Sequence, residues 1–458
     1  MSLFNIFQDN EWSFHYSKMI SNKKKFSTFD LGQILSGNNA VLALKFDNYS
    51  IVKDMIEKLK NEIIGLNLRI EGDFVVQRPK AEIKVHKLPP SSKFGSIQAL
   101  TEWSAYHIFP DFQKELGTIA ANDDTIILNI NHCVSDGKYI AGVAHHIGDK
   151  PQKITDSYLP ITFDEEFAEE LKIRSKSPPK YFGANPNNTI FSNLGMKKID
   201  KEIMYESIYD TKTFSNYDPQ KKACSNLTAS IVAGYSLSVA ALQNEETIFH
   251  LGGSMAATMR NVLRDKRSHK IHNIIADQIS TQNKISLNQD PITLRHSNIF
   301  TVLPMTASVT PYTKISECYR RLNKTLKDQF NLNKSDLFDF RDSMDHPKGE
   351  SYNDSLMICF SNLGPLKVKK PAVDAYLYNM AFRQPASFGI MLLTYAVIDE
   401  EKDRNELHSQ VRYGGNGLTE KQSMMLSKSF EHYLKNVDKN RTVGEMFNEL
   451  KAFQKTLQ

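Results

Sequence analysis

The sequence predicts an α/β protein built as two layered subdomains, and three observations carry that expectation. The chain has 458 residues, more than one ordinary hydrophobic core organises, which suggests two domains of roughly 150–250 residues each. Strand-like alternation and helix-like spacing of apolar residues follow one another in both halves, the pattern of sheets layered with helices. Between the halves the composition changes: Pro151, Pro160, Pro178, Pro179 and Pro186 lie among charged residues, as in FDEEFAEELKIRSKSPPK. Such a stretch reads as a surface crossover. The expected division is residues 1–165, a linker at 166–188, and residues 189–458.

In the first half, AVLALKF from Ala40 alternates like a half-buried strand, and Ser50–Ile64 carries apolar residues at helical spacing. Leu66–Val76 predicts a strand broken by the turn Glu71-Gly72-Asp73, and Ile97–Ile108 a short amphipathic helix. Turn residues Asn122, Asp123 and Asp124 precede TIILNIN, a strand of β-branched and aliphatic residues that ends at Asn131. Beyond Gly137, the segment KYIAGVAHHIG puts Ile140, Val143, Ala144 and Ile147 on one helical face, with Gly148 as the stop. In the second half, helices are expected at about Leu227–Leu242, Ile315–Phe330 and Glu420–Leu434. Strands are expected in TIFHLGG, DSLMICFSNLG, SFGIMLLTYAVI and LHSQVRYG. The first forty residues give no pattern. The string FSNLG occurs at Phe191–Gly195 and at Phe360–Gly364, and the pair is read as coincidence.

Composition narrows the function classes. With 40% hydrophobic and 24% charged residues the chain is globular, not disordered. A net charge of +5 from 57 basic and 52 acidic residues is too slight for a nucleic-acid-binding face. Cys133, Cys224, Cys318 and Cys359 form no CxxC pair, so neither a metal site nor a disulfide framework is expected. The N-terminus lacks the basic start and apolar core of a signal peptide. The longest apolar stretches, Leu227–Leu242 and Ala386–Ile398, are short for a bilayer span. A cytoplasmic protein with no transmembrane segment follows. No Walker-type or dinucleotide-binding loop is present.

The sharpest local feature is His132-Cys-Val-Ser-Asp136-Gly137, an HxxxDG string where a strand gives way to a helix. A neutral imidazole, with a pKa near ~6.5, suits abstraction of a proton from a hydroxyl or amine. A strand end can hold that ring rigidly, and Gly137 lets the chain turn without a side chain in the way. A buried Asp136 carboxylate needs a cationic partner, and would then shape the loop presenting His132. The plain structural alternative is a satisfied buried histidine. Cys133 reads as a small side chain facing the core. His145-His146, the run Arg260, Arg264, Lys266, Arg267 and Lys270, and Lys367, Lys369 and Lys370 read first as ordinary packing or solvated faces. Phe338 and Phe340 beside Arg341 read as loop packing.

The motif in this setting resembles the signature of the CoA-dependent acyltransferases: chloramphenicol acetyltransferase, condensation domains, alcohol acetyltransferases and polyketide-associated acyltransferases. AVLALKFDNYSIVKDMIEKLKNEIIGLNLRI is similar to the family's opening strand–helix–strand, and NDDTIILNINHCVSDG to the segment holding the base. LTASIVAGYSLSVAAL resembles the first helix of the second domain, and CFSNLGPLKV the SNxG strand of alcohol acetyltransferase-like members. FHLGGSMAATMRNVLR is similar to the strand whose arginine pairs with the motif aspartate. The likeness runs from about Ala40 to Asn436.

It implies two chloramphenicol-acetyltransferase-like subdomains in one chain, a pseudo-dimer with a channel at their interface. It implies His132 as general base with Asp136, a structural ion pair between Asp136 and Arg260, and Gly137, Ser361 and Asn362 at the substrate site. The implied reaction is direct acyl transfer from acyl-CoA, a co-substrate and not a tightly bound cofactor, to a small-molecule alcohol or amine. Two similar halves make a monomer self-sufficient. The departures are specific. Condensation domains carry a doubled histidine where this chain has Asn131, and the plant DFGWG signature is absent, Ser387-Phe-Gly389 being a poor substitute. Leu251-Gly-Gly-Ser254 resembles a carrier-protein attachment site but lacks the residue before the serine, so it reads as strand. Two other readings remain: a non-catalytic condensation-like binding module, and a condensation-type enzyme served by a separate carrier protein. A purely binding module has no chemical need for the base, which favours the enzyme.

Overall fold

Every residue of TIILNIN is buried, so both faces of that strand are covered; this is why its apolar run does not alternate. In the computed structural model the described residues are 23–112, 114–148, 159–174, 189–191, 202–243, 248, 250–260, 262, 297–330, 356–381, 390–414 and 418–458. The chain divides into two compact units. One holds the residues up to Glu166 together with 281–299 and 368–380; the other holds 167–280, 300–367 and 381–458.

The first unit runs β1 (Lys23–Lys25), α1 (Thr28–Ser36), β2 (Asn38–Phe46), α2 (Tyr49–Glu62), β3 (Leu68–Glu71), β4 (Phe74–Gln77), β5 (Val85–Lys87), α3 (Ile97–His107), β6 (Gly117–Ala121), β7 (Thr125–Asn131), α4 (Gly137–His146) and α5 (Phe163–Glu166). Its main sheet is ordered β2-β7-β6-β5, antiparallel except for the parallel β5–β6 edge. α2, α3 and α4 pack against its central strands. Strands β1, β4 and β3 form a separate small sheet. Gly72, with φ 59°, makes the expected β3–β4 turn. The face expected on α4 is buried at Ile140, Val143, Ala144 and Ile147. Helix α1 has no counterpart among the expected elements, although Ser27 and Asp30 form a capping box at its start and Gly37 a left-handed cap at its end.

The second unit contains α6 (Ala168–Arg174), β8 (Thr189–Phe191), β9 (Glu202–Asp210), the short pair β10 (Tyr217–Asp218) and β11 (Ala223–Cys224), α7 (Leu227–Leu242), β12 (His250–Thr258), β13 (Phe300–Ser308), α8 (Ile315–Gln329) and β14 (Leu356–Lys367). The next strand, β15 (Ala372–Ala381), returns to the first unit as the fifth strand of its sheet, beside β2. The chain then completes the second unit with β16 (Ile390–Asp399), β17 (Arg404–Gly414), α9 (Glu420–Asn436) and α10 (Val443–Thr456). A contiguous division at 165 and 189 leaves out this return, because an isolated strand carries no mark of the sheet it joins. Part of the expected linker is helix α6.

The large sheet is ordered β13-β12-β14-β16-β17-β9, with β8 also beside β14, and three of its four inner strands, β12, β14 and β16, run parallel. α7 is apolar on all sides and buried almost throughout, as a helix enclosed by others must be; α8, α9 and α10 all pack on it. Tyr235 stands edge-on to Phe360 and Phe430, and Gly234 leaves room for the Tyr433 ring, which a Cβ would meet at 2.3 Å. Gly252 and Gly253 serve close packing within β12: a Cβ on Gly253 would lie 2.2 Å from the Ile358 carbonyl oxygen. Ser254 is 2% exposed and paired between Pro304 and Cys359. Leu251–Ser254 is therefore an inner-strand segment, closed to a modifying enzyme. Among the described residues, no helix is long and apolar enough to cross a membrane.

One buried titratable group stiffens this sheet. His408 on β17 stacks on Tyr395 of β16, with Nδ1 3.5 Å from Glu206 and Nε2 3.7 Å from Glu406. Burial pulls its pKa down, but the two glutamate carboxylates beside the ring outweigh that, and it is raised. A folded pKa above the unfolded value of ~6.5 contributes stability that is complete below that value and lost as pH rises through the folded one. The denaturation midpoint of the second unit should therefore fall as pH is raised from about 6 to about 8. His408→Gln should flatten that dependence, and an unchanged slope in the variant contradicts the assignment.

Candidate active site

The loop carrying HxxxDG is fixed by side chains that cap it from both ends. At Asn131 β7 stops and the chain makes a single 3-10 turn, His132–Val134. The Asn131 Oδ1 accepts the Cys133 N–H at 3.0 Å, as an N-cap does. Its Nδ2 donates to Asn39 Oδ1 (3.2 Å) and to the Gln33 carbonyl (3.3 Å), which ties the turn to α1 and β2. Asp136 then caps α4: Oδ1 accepts the Tyr139 N–H at 2.7 Å, next to the positive end of the helix.

The other oxygen is taken from far along the chain. Asp136 Oδ2 accepts the Ile299 N–H at 2.8 Å, and the Asp136 N–H donates to the Ser297 carbonyl at 2.7 Å. Asn298 Nδ2 donates to the Cys133 carbonyl at 3.2 Å. Ser297, Asn298 and Ile299 are all buried and belong, like the loop, to the first unit. Asp136 is 3% exposed, and two backbone amides and a helix N-terminus thus help to offset its desolvation. No sequence signal marks 297–299; only the demand of a buried carboxylate for donors could have prompted a search.

Within this frame the His132 side chain is partly exposed, with Nδ1 shut away from solvent. The neighbouring Cys133 is buried and its thiol is pushed well up by that burial, which leaves it protonated and a poor nucleophile. Gly137 differs from expectation. It is the first residue of α4 and has no left-handed backbone; the turn before it is made by extended Ser135 and Asp136.

Arg260, Ser361 and Asn362 belong to the second unit. Arg260 follows β12, is buried, and donates through Nη1 to Thr258 Oγ1 at 3.1 Å. Ser361, also buried, sits on β14 opposite Ala256 of β12 and Leu393 of β16. Asn362 serves the strand itself, since Nδ2 donates to Thr228 Oγ1 of α7 (2.8 Å) and Oδ1 accepts the Gly364 N–H (3.1 Å). It organises a register shift between Asn362 and Pro365, where Gly364 has φ 76°. FSNLG thus does not end the strand, as the sequence suggested; β14 continues through this irregularity to Lys367.

A surface cleft of about 570 Å³ in the second unit is lined by Tyr312, Thr313, Lys314, Ser316, Glu317, Arg320 and Arg321, none of them a predicted site residue. Both arginines there are paired with Glu317. Among the described residues, no group of three or more His, Cys, Asp or Glu is arranged to hold a metal. Arg264, Lys266, Arg267, Lys270, Phe338, Phe340, Arg341, Ser387–Gly389 and the first FSNLG copy beyond Phe191 lie outside the described residues.

The chain matches no sequence family and no curated protein. Solved structures match it over nearly its whole length. The first condensation domain of the calcium-dependent antibiotic synthetase, in complex with a substrate analogue, has a TM-score of 0.59 at 10% identity, over 91% of this chain and 95% of that one. Polyketide synthase associated protein 5 from Mycobacterium tuberculosis gives 0.56 at 10%, over 91% and 98%. The starter condensation domain of rhizomide synthetase RzmA gives 0.52 at 11%, over 92% and 98%. The fold is that of the condensation domains. The resemblance read from the sequence, to the superfamily that includes them, is borne out in fold, with α/β layers in both units. Asn131, read from the sequence as a departure from the doubled histidine, caps the turn.

Asp136→Asn presents an NH₂ group to one of two backbone N–H donors and leaves that donor buried without an acceptor, a cost of about 1–3 kcal/mol. The variant should unfold at lower temperature and exchange its amide hydrogens faster at Ser297–Ile299. An unshifted midpoint would show that the carboxylate does not hold the loop.

Proposed function

We propose that this chain is an acyltransferase that moves an acyl group from a thioester to a hydroxyl or amine, with His132 as general base. The observation that carries this reading is the partly exposed imidazole of His132 on a loop whose Cys133 backbone and Asp136 carboxylate are held by buried partners. Such a ring can take a proton without reorganising its support.

In the step envisaged, His132 takes the proton of the acceptor O–H or N–H while the acceptor atom attacks the thioester carbonyl carbon. The tetrahedral oxyanion collapses, the C–S bond breaks, and the imidazolium returns the proton to the departing thiolate. Thioester and acceptor become ester or amide plus free thiol. The oxyanion needs a preorganised donor. We assign that role to the Ser361 hydroxyl, since the Asn362 amide is already engaged with Thr228. Arg260 is the proposed counter-ion of Asp136, and Gly137 the proposed small residue beside the substrate.

Acyl-CoA is the proposed donor and a small-molecule alcohol or amine the acceptor. The burial of Ser254 supports a donor from outside the chain, because the attachment-like serine read from the sequence is closed off. A second reading, a thioester on a separate carrier protein, draws support from the likeness to condensation domains of synthetases.

The test is release of free thiol from acetyl-CoA and longer acyl-CoA thioesters in the presence of alcohols and amines. His132→Ala should lower the rate by about 10²–10⁴-fold. Turnover unchanged in the variant removes the mechanism.

A further inference from the structure

The residue that follows the proposed base is gripped from both sides. Asn131 Oδ1 accepts the Cys133 N–H at 3.0 Å, and Asn298 Nδ2 donates to the Cys133 carbonyl at 3.2 Å. Both asparagines are buried, Asn131 completely. Two amides from distant parts of the chain thus hold the two peptide units that flank Cys133, the first of them joined directly to His132. Asn131 is itself held: its Nδ2 bridges Asn39 Oδ1 and the Gln33 carbonyl at the end of α1, and its own N–H donates to the Leu116 carbonyl at 2.8 Å. Asn39 lies directly opposite it in the β2–β7 register and is fully buried.

The geometry points to Asn131 and Asn298 as positioning residues for His132, clamping the backbone on either side of Cys133 so that the imidazole keeps one orientation. This rests on His132 being the base. The sequence alone makes Asn131 look like the loss of a histidine; the structure gives the substituted side chain a role of its own. A 3-10 turn of one cycle has little internal hydrogen bonding to resist twisting, and its neighbour Asp136 fixes only the far end. Without the two amides, the Cys133 N–H and carbonyl would keep neither of these side-chain partners, and His132 would move with them.

The amide role makes a chemical distinction. Asn131→Ala removes the acceptor for the Cys133 N–H, whereas Asn131→Ser keeps an N-capping oxygen. With acetyl-CoA as the donor probe and an alcohol and amine panel as acceptors, Asn131→Ala should lower kcat about 10- to 100-fold, with KM for acetyl-CoA unchanged. Asn131→Ser should restore most of the rate. Asn298→Ala should also lower kcat, and the double alanine variant should lose less than the product of the single losses, because both residues act through the backbone of Cys133. Amide hydrogen exchange over Thr125–Asp136 needs no substrate: it should speed up in Asn131→Ala and return towards the wild-type rate in Asn131→Ser.

Wild-type kcat in Asn131→Ala beside a His132→Ala variant that has lost turnover overturns the clamp and leaves the base standing. Turnover retained in His132→Ala overturns both. Equal exchange in the wild type, Asn131→Ala and Asn131→Ser also overturns the clamp, as does a serine variant as slow as the alanine one.

Discussion

The buried carboxylate of Asp136 is the constraint on which the rest of the site depends. A carboxylate removed from water needs hydrogen-bond donors to hold its charge, and this one draws them from two places. One oxygen takes the Tyr139 amide at the start of α4, and the other takes the Ile299 amide from a segment 163 residues further along the chain. A single side chain therefore fixes the end of the loop, the start of the helix and the path of 297–299 together. Its work is architectural, and it sets where the chain between β7 and α4 can go.

The same economy recurs at the other end of the loop. Asn131 stops the sheet, caps the turn and joins β2 and α1 to it through a few polar contacts in an otherwise apolar region. Buried amides of this kind are costly unless satisfied, and they specify one geometry when they are. Tyr139, a fully buried residue of α4, adds a further tie: its hydroxyl accepts the Ile64 N–H at 3.3 Å. In the second unit, rigidity comes from packing instead. α7 is enclosed by three helices and a sheet, and paired glycines in β12 let strands approach where a methyl group would strike a carbonyl oxygen.

Local pattern makes much of this legible in the sequence. TIILNIN, the one-sided helix after Gly137, and the uniformly apolar LTASIVAGYSLSVAAL each state their environment through periodicity, and each forms where expected. His132 and Asp136 stand out because their residue types and spacing carry chemistry. What stays hidden is long-range. Nothing in AVDAYLYNMA says that β15 returns to the first sheet, and nothing in Ser297-Asn298-Ile299 says that it straps a loop near residue 133. Gly137 reads as a turn glycine, yet the helix begins at that residue, and FSNLG reads as a strand end where the strand only shifts register. Those features are set by partners brought together in folding, and a single sequence does not carry the pairing.

The strapped loop, on the proposed mechanism, exists to hold one imidazole against a thioester. A crystal structure of the protein with an acyl-CoA analogue, whose thioester sulfur is replaced by a methylene group, tests this most directly. The predicted result is the ketone carbon beside the His132 ring, close enough for an acceptor atom to lie between them at a near-attack separation of about 3–3.5 Å from carbon. An analogue bound elsewhere, with the ring packed against protein on every side, contradicts it.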